Sequence, residues 1–178
     1  MTYDNGIIFG THCILRSVRE EDAEFIVSLR NAPKLSRHIS KSVESVEEQQ
    51  QWIRSYFVRH KKGLEYYFIA CDLHGVPCGT VRLYNITENE CTGGSWVMLP
   101  GTPISVSLES YLLPMRFSFT ILSKNVMHID VRKTNTRVWK WHELCGAIFI
   151  REDDLDRYYD YTSNTYLIAE TMVCKLIE

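Results

Sequence analysis

Residues 91–110 read CTGGSWVMLPGTPISVSLES, and this stretch decides the fold that we expect. Small polar residues lead into the apolar run Trp96–Leu99, which is typical of a β-strand. A turn rich in proline and glycine follows at Pro100–Pro103, and a helical apolar pattern begins at about Ser105. A strand, a tight turn and a helix start place backbone N–H groups and the positive end of a helix dipole beside a sheet. Such a joint can bind a phosphate or pyrophosphate, although most joints of this kind only connect two elements.

The composition is that of one globular domain spanning residues 1–178. Hydrophobic residues make up 45% of the chain and charged residues 24%, and the formal net charge is -2. Because the chain has no overall basic field, we expect no nucleic-acid partner and no anionic membrane partner. No apolar run approaches the roughly 18 residues of a membrane span, and the first ten residues lack a signal-peptide pattern. These features predict a cytoplasmic protein.

The cysteines and histidines do not predict a metal centre. The six cysteines lie mostly inside apolar segments, at Cys13, Cys71, Cys78, Cys91, Cys145 and Cys174. They show neither a CxxC motif nor the Cys/His spacing of a zinc site. Buried, reduced thiols and no metal are therefore expected.

Hydrophobic periodicity predicts the remaining elements in order along the chain. The predicted strands are 12–18, 66–72, 77–87, the run ending at Leu99, 127–131, 147–150 and 165–177, with 152–161 as a solvated loop. The predicted helices are 19–30, one opened by the capping box at Ser45–Glu48, one after Pro103 that Pro114 should kink or split, and one between Asn135 and Gly146. Short turns favour an antiparallel meander early on, and the strands around the third helix should be parallel. The prediction is an α/β (α+β) fold with one mixed, mostly antiparallel sheet of about seven strands and helices on both faces.

Several short motifs stand out within this order of elements. They are Leu15-Arg16-x-Val18-x-x-x-Asp22, Leu29-Arg30-Asn31, Gly79-Thr80-Val81-Arg82-Leu83, Gly94-Ser95-Trp96-Val97, and Asn135 with His142 seven residues on and Gly146 eleven residues on. Together they resemble the GNAT superfamily of acyl-CoA-dependent N-acetyltransferases, and within it the RimL/RimJ-like branch. The resemblance covers about residues 15–150.

The resemblance implies acetyl-CoA as the co-substrate. By position, Val97, Met98 and Leu99 would offer backbone groups to the pantetheine arm, Asn135 would contact the cofactor, and the helix entrance would hold the pyrophosphate through Ile104, Ser105, Val106 and Ser107. The chain departs from the family at this loop. Two prolines, which lack an amide hydrogen, and two serines stand where glycines are usual.

The resemblance also suggests catalytic residues for direct attack of an amine on the thioester. His142 occupies the position where the family commonly has a tyrosine that protonates the leaving thiolate, and an ordinary histidine titrates near pH ~6.5. Ser95 could orient the substrate amine or a water, although both residues could equally serve packing. Glu88, Glu90 and Glu109 lie near the central strand, but none is assigned as a general base.

Substrate recognition in such proteins tends to come from the loop after the first helix and the edge of the central sheet. The residues at these places are Asn31, Arg37, His38, Tyr84 and Asn85. A basic rim of this kind suits a phosphorylated or carboxylated acceptor.

The function predicted from these residues is an N-acetyltransferase acting on a primary amine. The Leu29–Asn31 and Glu47–Trp52 patterns are similar to those of bacterial amino-sugar acetyltransferases, so the acceptor is expected to be the amino group of a nucleotide-linked sugar. An enzyme acetylating protein N-termini, as on ribosomal proteins, and a non-catalytic acyl-CoA-binding module are the alternatives. A homodimer is left open.

Overall fold

The computed structural model describes residues 2–32, 35, 38 and 45–178. The strands are β1 (Thr2–Asp4), β2 (Ile7–Phe9), β3 (Ile14–Ser17), β4 (Tyr66–Cys71), β5 (Pro77–Tyr84), β6 (Glu90–Met98), β7 (Val126–Arg132), β8 (Ile148–Glu152) and β9 (Asp156–Thr162). The helices are α1 (Ala23–Asn31), which follows a 3-10 turn at Glu20–Asp22, α2 (Val46–Lys61), α3 (Ile104–Arg116), which continues into a π-helical turn at Phe117–Ile121, α4 (Thr136–Leu144) and α5 (Tyr166–Ile177). The described strands form one sheet in the order β1-β2-β3-β4-β5-β6-β7-β9-β8.

All neighbouring strands pair in the antiparallel sense except β6 and β7, which are parallel. This exception is the one expected, since the chain leaves β6 through α3 and must return to the same edge before β7 begins. The mixed, mostly antiparallel sheet predicted from the sequence is therefore confirmed.

Helices cover both faces of the sheet and bury a core on each. On one face, Ile26 of α1 and Ile53 of α2 pack with Tyr67 and Ile69 of β4. On the other face, Leu112 of α3 and Val173 of α5 belong to the core that contains Phe68, Val81 and Leu83, which have the alternate parity on their strands. Because strand side chains alternate, each β5 residue can be assigned to one of these two faces.

The C-terminal prediction was wrong in two places, and β1 and β2 were not expected. Residues 152–161, taken as a loop, contain β9, which pairs with β7 along its whole length from Asp156 to Thr162. Residues 165–177, taken as a strand, form α5. Ala169 and Val173, four residues apart, are fully buried on one side of this helix. A continuous apolar run is compatible with the period of a strand and with that of a helix, and packing against α3 selects the helix.

Pro114 does not split α3. The helix runs continuously from Ile104 to Arg116, and the irregularity is the π-helical turn directly after it, where the Leu122 N–H donates to the Phe117 carbonyl. The proline removes one backbone donor within α3, and the wider π turn lies at the point where the helix approaches α5. Arg116 and Glu170 join the two helices, with Nε and Oε1 2.5 Å apart.

Among the described residues, no helix is both long and apolar enough to cross a membrane. In the same part of the chain, no group of three or more His, Cys, Asp or Glu side chains is arranged to hold a metal ion.

Candidate functional site

The central feature of the molecule is a place where β6 and β7 part. Their parallel pairing begins at Glu90 and Val126 and ends at Gly93 and Ile129, although both strands continue for several residues. Beyond this point, the edge of β6 that faces β7 has no strand partner, so its backbone donors and acceptors are available to another molecule. The expected apolar run Trp96–Leu99 begins within this unpaired part of β6.

A β-bulge in β6 lies at the point of parting. Arg82 of β5 pairs with Gly94 and Thr80 pairs with Val97, so two residues of β6 lie opposite Val81. One of them, Ser95, has a φ of 52°, the left-handed region that side chains other than glycine rarely adopt. Thr80 supports the bulge, because its hydroxyl donates to the Ser95 carbonyl over 2.8 Å. The bulge bends β6 away from β7.

A cavity of about 350 Å³ lies at the gap between the strands and is lined by residues from both faces of the sheet. Tyr111 and His142 line it from the α3 side, where they belong to the packing around α3 and α4. Arg30, Arg82 and Tyr84 line it from the α1 and α2 side. The strands themselves contribute the central wall, including Gly94, Ser95, Val97, Ile129 and Asp130.

On the α3 side, three side chains form a buried polar cluster. The Tyr111 and Tyr161 hydroxyl oxygens are 2.7 Å apart, and the Tyr161 hydroxyl donates to the His142 carbonyl over 3.1 Å. His142 Nδ1 lies 3.2 Å from the Tyr161 oxygen and 3.5 Å from the Tyr111 oxygen. Burial lowers the pKa of His142 to about 4 and raises the pKa of Tyr111 well above its ordinary value. At neutral pH, all three groups are therefore neutral, and protons can pass between them along these hydrogen bonds.

On the opposite side, Arg82 is held rigidly at the cavity wall. Its Nε donates to Oε1 of Glu65 over 2.5 Å, and the buried Glu65 carboxylate also accepts from Arg59 Nε over 2.6 Å. The Arg82 guanidinium carbon lies 5.0 Å from the ring centre of Trp52 and 4.5 Å from that of Tyr84. A guanidinium group fixed between two rings by a buried carboxylate presents its remaining N–H groups in a defined direction, which suits a phosphate or carboxylate.

Asp130 is a cavity residue that the sequence interpretation missed. It follows Ile129 on β7, and its Oδ1 lies 3.4 Å from the Tyr84 hydroxyl. Asp130 is exposed to solvent at the cavity wall, but partial desolvation by the surrounding protein and, after it, the charge of Asp156 raise its pKa above the ordinary value. The only signal in the sequence is the alternation of Met127–Val131, which places Asp130 on the face opposite to Met127 and Ile129, as it would place any surface acid.

The N-terminus of α3 is chemically suited to bind an anion. Pro103 occupies the N-cap position and supplies no capping hydrogen bond, and the first turn contains no acidic residue. Ser107 N–H donates to the Pro103 carbonyl and so makes the first hydrogen bond of the helix. The N–H groups of the residues before it have no carbonyl acceptor within the helix. Asn135, at the N-cap of α4, lines the cavity, and its side chain makes no capping bond.

The structure brings together some of the predicted site residues and separates others. Those that line the cavity are His38, Tyr84, Ser95, Val97, Asn135 and His142. Those of the described residues that do not line it are Asn31, Asn85, Met98, Leu99, Ile104, Ser105, Val106 and Ser107. Arg30, rather than its neighbour Asn31, faces the cavity, and Asn85 is exposed at the end of β5. Arg37 lies outside the described residues.

Glu109 has a structural role in α3. Its Oε1 accepts from Thr11 N–H over 2.8 Å, and its Oε2 accepts from His12 and Cys13 N–H over 2.6 and 2.7 Å. Three consecutive backbone donors thus surround the carboxylate, which is 2% exposed and does not line the cavity. Glu109 therefore ties the loop between β2 and β3 to α3.

The fold, the parted parallel strands and the uncapped helix after β6 define an acetyltransferase of the GNAT class. The sequence profile of the acetyltransferase (GNAT) domain matches residues 12–148. The chain belongs to this family and is an N-acetyltransferase, so the membership expected from the short motifs is confirmed.

Known structures extend the comparison over the whole chain. The chain is 36% identical to apo FdhC, described as a nucleotide-linked sugar GNAT, with a TM-score of 0.86 and coverage of 98% of this chain and 100% of that one. Mycobacterium smegmatis RimJ, solved with CoA-disulfide, has the same fold at 18% identity, with a TM-score of 0.77 and coverage of 92% and 88%. RimL, the ribosomal L7/L12 α-N-protein acetyltransferase, is 15% identical, with a TM-score of 0.73 and coverage of 88% and 93%. A search of curated proteins found no match.

Proposed function

We propose that this enzyme transfers the acetyl group of acetyl-CoA to the primary amine of a nucleotide-linked amino sugar. The observation that carries the acceptor assignment is the cationic wall of the cavity, formed by Arg30 and the clamped Arg82. A nucleotide-linked sugar contains a diphosphate, and guanidinium groups bind phosphate oxygens through paired, charge-assisted hydrogen bonds. The similarity to FdhC supports the same class of acceptor.

The α3 side of the parted strands is suited to acetyl-CoA, which supplies a reactive thioester when it is bound. The unpaired edge of β6 at Val97, Met98 and Leu99 would hold the pantetheine arm. The α3 entrance would hold the pyrophosphate through Ile104, Ser105, Val106 and Ser107, because its first N–H groups have no capping side chain. The Asn135 amide would bind the same molecule from the cavity wall.

In this proposal, His142 and Ser95 serve the reaction from the two ends of the gap. The leaving thiolate takes its proton through the cluster of Tyr111, Tyr161 and His142, whose hydroxyl and imidazole groups are in hydrogen-bond contact. Because His142 is neutral, it relays a proton within this chain of hydrogen bonds and does not act as an imidazolium that is already protonated. The Ser95 hydroxyl orients the acceptor amine at the bulge.

The test is an acceptor screen that follows release of the CoA thiol. The panel contains a nucleotide-linked amino sugar, the same amino sugar without its nucleotide, spermidine and a peptide with a free N-terminus. We expect the nucleotide-linked sugar to give the highest kcat/KM, and Arg82→Ala to raise its KM by at least tenfold, roughly the loss of one charge-assisted hydrogen bond.

Acetyl-CoA should raise the Tm of wild type and Arg82→Ala equally, because the substitution is on the acceptor side. Arg19→Ala, which removes an exposed arginine, is the matched control for loss of charge. A higher kcat/KM for the peptide or for spermidine would reject the nucleotide-linked acceptor. An unchanged Tm with saturating acetyl-CoA would reject the cofactor assignment.

A further inference from the structure

The Tyr84 ring reaches across β6 because Gly94 has no side chain. Tyr84 is on β5 and Asp130 is on β7, with β6 between them. A Cβ atom added to Gly94 would lie 3.2 Å from Tyr84 Cε1 and 3.3 Å from its hydroxyl oxygen. The glycine therefore provides the space in which the Tyr84 hydroxyl approaches Asp130 Oδ1, at 3.4 Å.

Asp130 lies where the strands separate. Ile129, its neighbour, is the last residue of β7 paired with β6, and Asp130 therefore faces the open gap beside Gly94. The nearby Arg132 forms an ion pair with Asp156, with Nη1 and Oδ2 3.2 Å apart. The Asp130 carboxylate thus borders the gap beside the Tyr84 hydroxyl group, and the charge of Arg132 partly offsets the effects that raise its pKa.

Charges of both signs line this side of the cavity. Arg30 and Arg82 give a positive region that suits a diphosphate, and Asp130 gives a negative one at the parting of the strands. An acceptor with a diphosphate at one end and an ammonium group at the other would be oriented by this pattern, with its amine toward the thioester. Partial desolvation and the charge of Asp156 raise the pKa of Asp130, which makes its carboxylate a better proton acceptor.

We infer that Asp130 binds the ammonium group of the acceptor and removes its proton, and that Tyr84 is the residue that positions the Asp130 carboxylate. This inference rests on the proposed acetylation of an amine. The ammonium nitrogen gives one proton to Asp130, and its lone pair forms the N–C bond with the acetyl carbon. The C–S bond breaks with its electrons on sulfur. The nitrogen loses its second proton as the amide forms, and this proton balances the one that the thiolate takes up through the cluster of Tyr111, Tyr161 and His142. The thiolate is protonated, and Asp130 returns its proton to solvent.

The experiment compares Asp130→Asn, Tyr84→Phe and the control Asp160→Asn, which removes a carboxylate that lies outside the cavity lining. Each is assayed with whichever amine in the panel gives the highest kcat/KM. The role of Asp130 is thereby tested even if the nucleotide-linked sugar is not the acceptor. We expect Asp130→Asn to lower kcat/KM by at least 100-fold at pH 7. Tyr84→Phe should lower it about threefold to tenfold, and Asp160→Asn should leave it within twofold.

A pH profile distinguishes proton removal from a purely structural role. The rate of Asp130→Asn should recover as the pH rises from 7 to 9.5, because the free amine then forms without the carboxylate. The charged or titratable groups that surround Asp130 are Tyr84 and Arg82 on β5, Asp156 on β9, Arg132 on β7, Arg30 on α1, and His38. Asp156→Asn is therefore profiled as well. Removing its charge should lower the pKa of Asp130 and move the acidic limb of the profile to lower pH.

Gly94→Ala provides a second route to the same conclusion, since it displaces the Tyr84 ring without removing a polar group. Its turnover should fall as in Tyr84→Phe, with the Tm increase on acetyl-CoA binding retained. An Asp130→Asn variant that folds, binds acetyl-CoA and turns over within threefold of wild type would overturn the inference. If Asp130→Asn does not fold, wild-type turnover in both Gly94→Ala and Tyr84→Phe would overturn it.

Discussion

His142 shows how strongly burial changes the chemistry of a single residue. Its place seven residues after Asn135 was readable from the sequence, and the structure shows that it lines the cavity between β6 and β7. Its protonation state could not be read from the sequence. The ring is 5% exposed and its pKa is lowered to about 4, so the expectation of a group titrating near neutrality is wrong. Desolvation depends on β9 and α3, which lie far from His142 in the sequence.

The lowered pKa of His142 predicts a pH dependence of stability. Unfolded histidine binds its proton below about pH 6.5, whereas folded His142 binds it only below about 4, so unfolding takes up a proton between these values. The free energy of unfolding should therefore rise with pH from about 4 to 6.5 and level off above, by up to about 3 kcal/mol. Urea unfolding of His142→Gln should lack this part of the rise, and the exposed control His74→Gln should retain it. A wild-type slope in His142→Gln would contradict the lowered pKa.

The same substitution tests the proposed role of His142 in proton transfer. His142→Gln keeps a polar group of similar size but cannot relay a proton as an imidazole does, so we expect kcat to fall by at least tenfold. The Tm increase with acetyl-CoA should be nearly unchanged. Unchanged kcat would assign His142 to packing alone.

At the scale of elements, β6 combines a predictable strand with an unpredictable bulge. The apolar run and the Pro/Gly turn after it were sufficient to place the strand and the start of α3. The positive φ of Ser95 could not be predicted from the sequence, because serine has no preference for this conformation and the bulge arises from the pairing with β5.

Substitutions of Ser95 separate its backbone role from its side-chain role. Ser95→Gly retains the left-handed conformation at less cost, so the Tm should be unchanged or higher. Its kcat should fall about tenfold if the hydroxyl orients the amine, roughly the effect of one hydrogen bond. Ser95→Val should lower the free energy of unfolding by about 1–2 kcal/mol, because a β-branched residue is strained at φ 52°. Wild-type kcat in Ser95→Gly would remove the hydroxyl from the mechanism.

At the scale of the whole molecule, Glu109 connects the N-terminal hairpin to the helix that opens at the proposed pyrophosphate site. In wild type, the two carboxylate oxygens of Glu109 accept from three N–H groups. Glu109→Gln leaves a single oxygen acceptor and brings an amide NH₂ donor close to those N–H groups. We expect a loss of about 2–4 kcal/mol in the free energy of unfolding, measured by urea denaturation. Below its Tm, the variant should keep kcat within threefold, because Glu109 does not line the cavity. The exposed Glu24→Gln is the control, and a large loss of kcat in a folded Glu109→Gln would instead indicate a catalytic carboxylate.

The local sequence was sufficient for the family, for the order of elements through residue 150 apart from the first two short strands, and for the position of the central strand and helix. These features follow from periodicity, capping residues and turn residues, which act over a few positions. Only the tertiary structure decided that 166–177 is a helix and 156–162 a strand, because an apolar or tyrosine-rich run acquires its period from what it packs against. The tertiary structure also placed Asp130 beside Tyr84. That contact spans β5, β6 and β7, and it depends on the missing side chain of Gly94 and on the parting of two strands that meet only after α3 has crossed over.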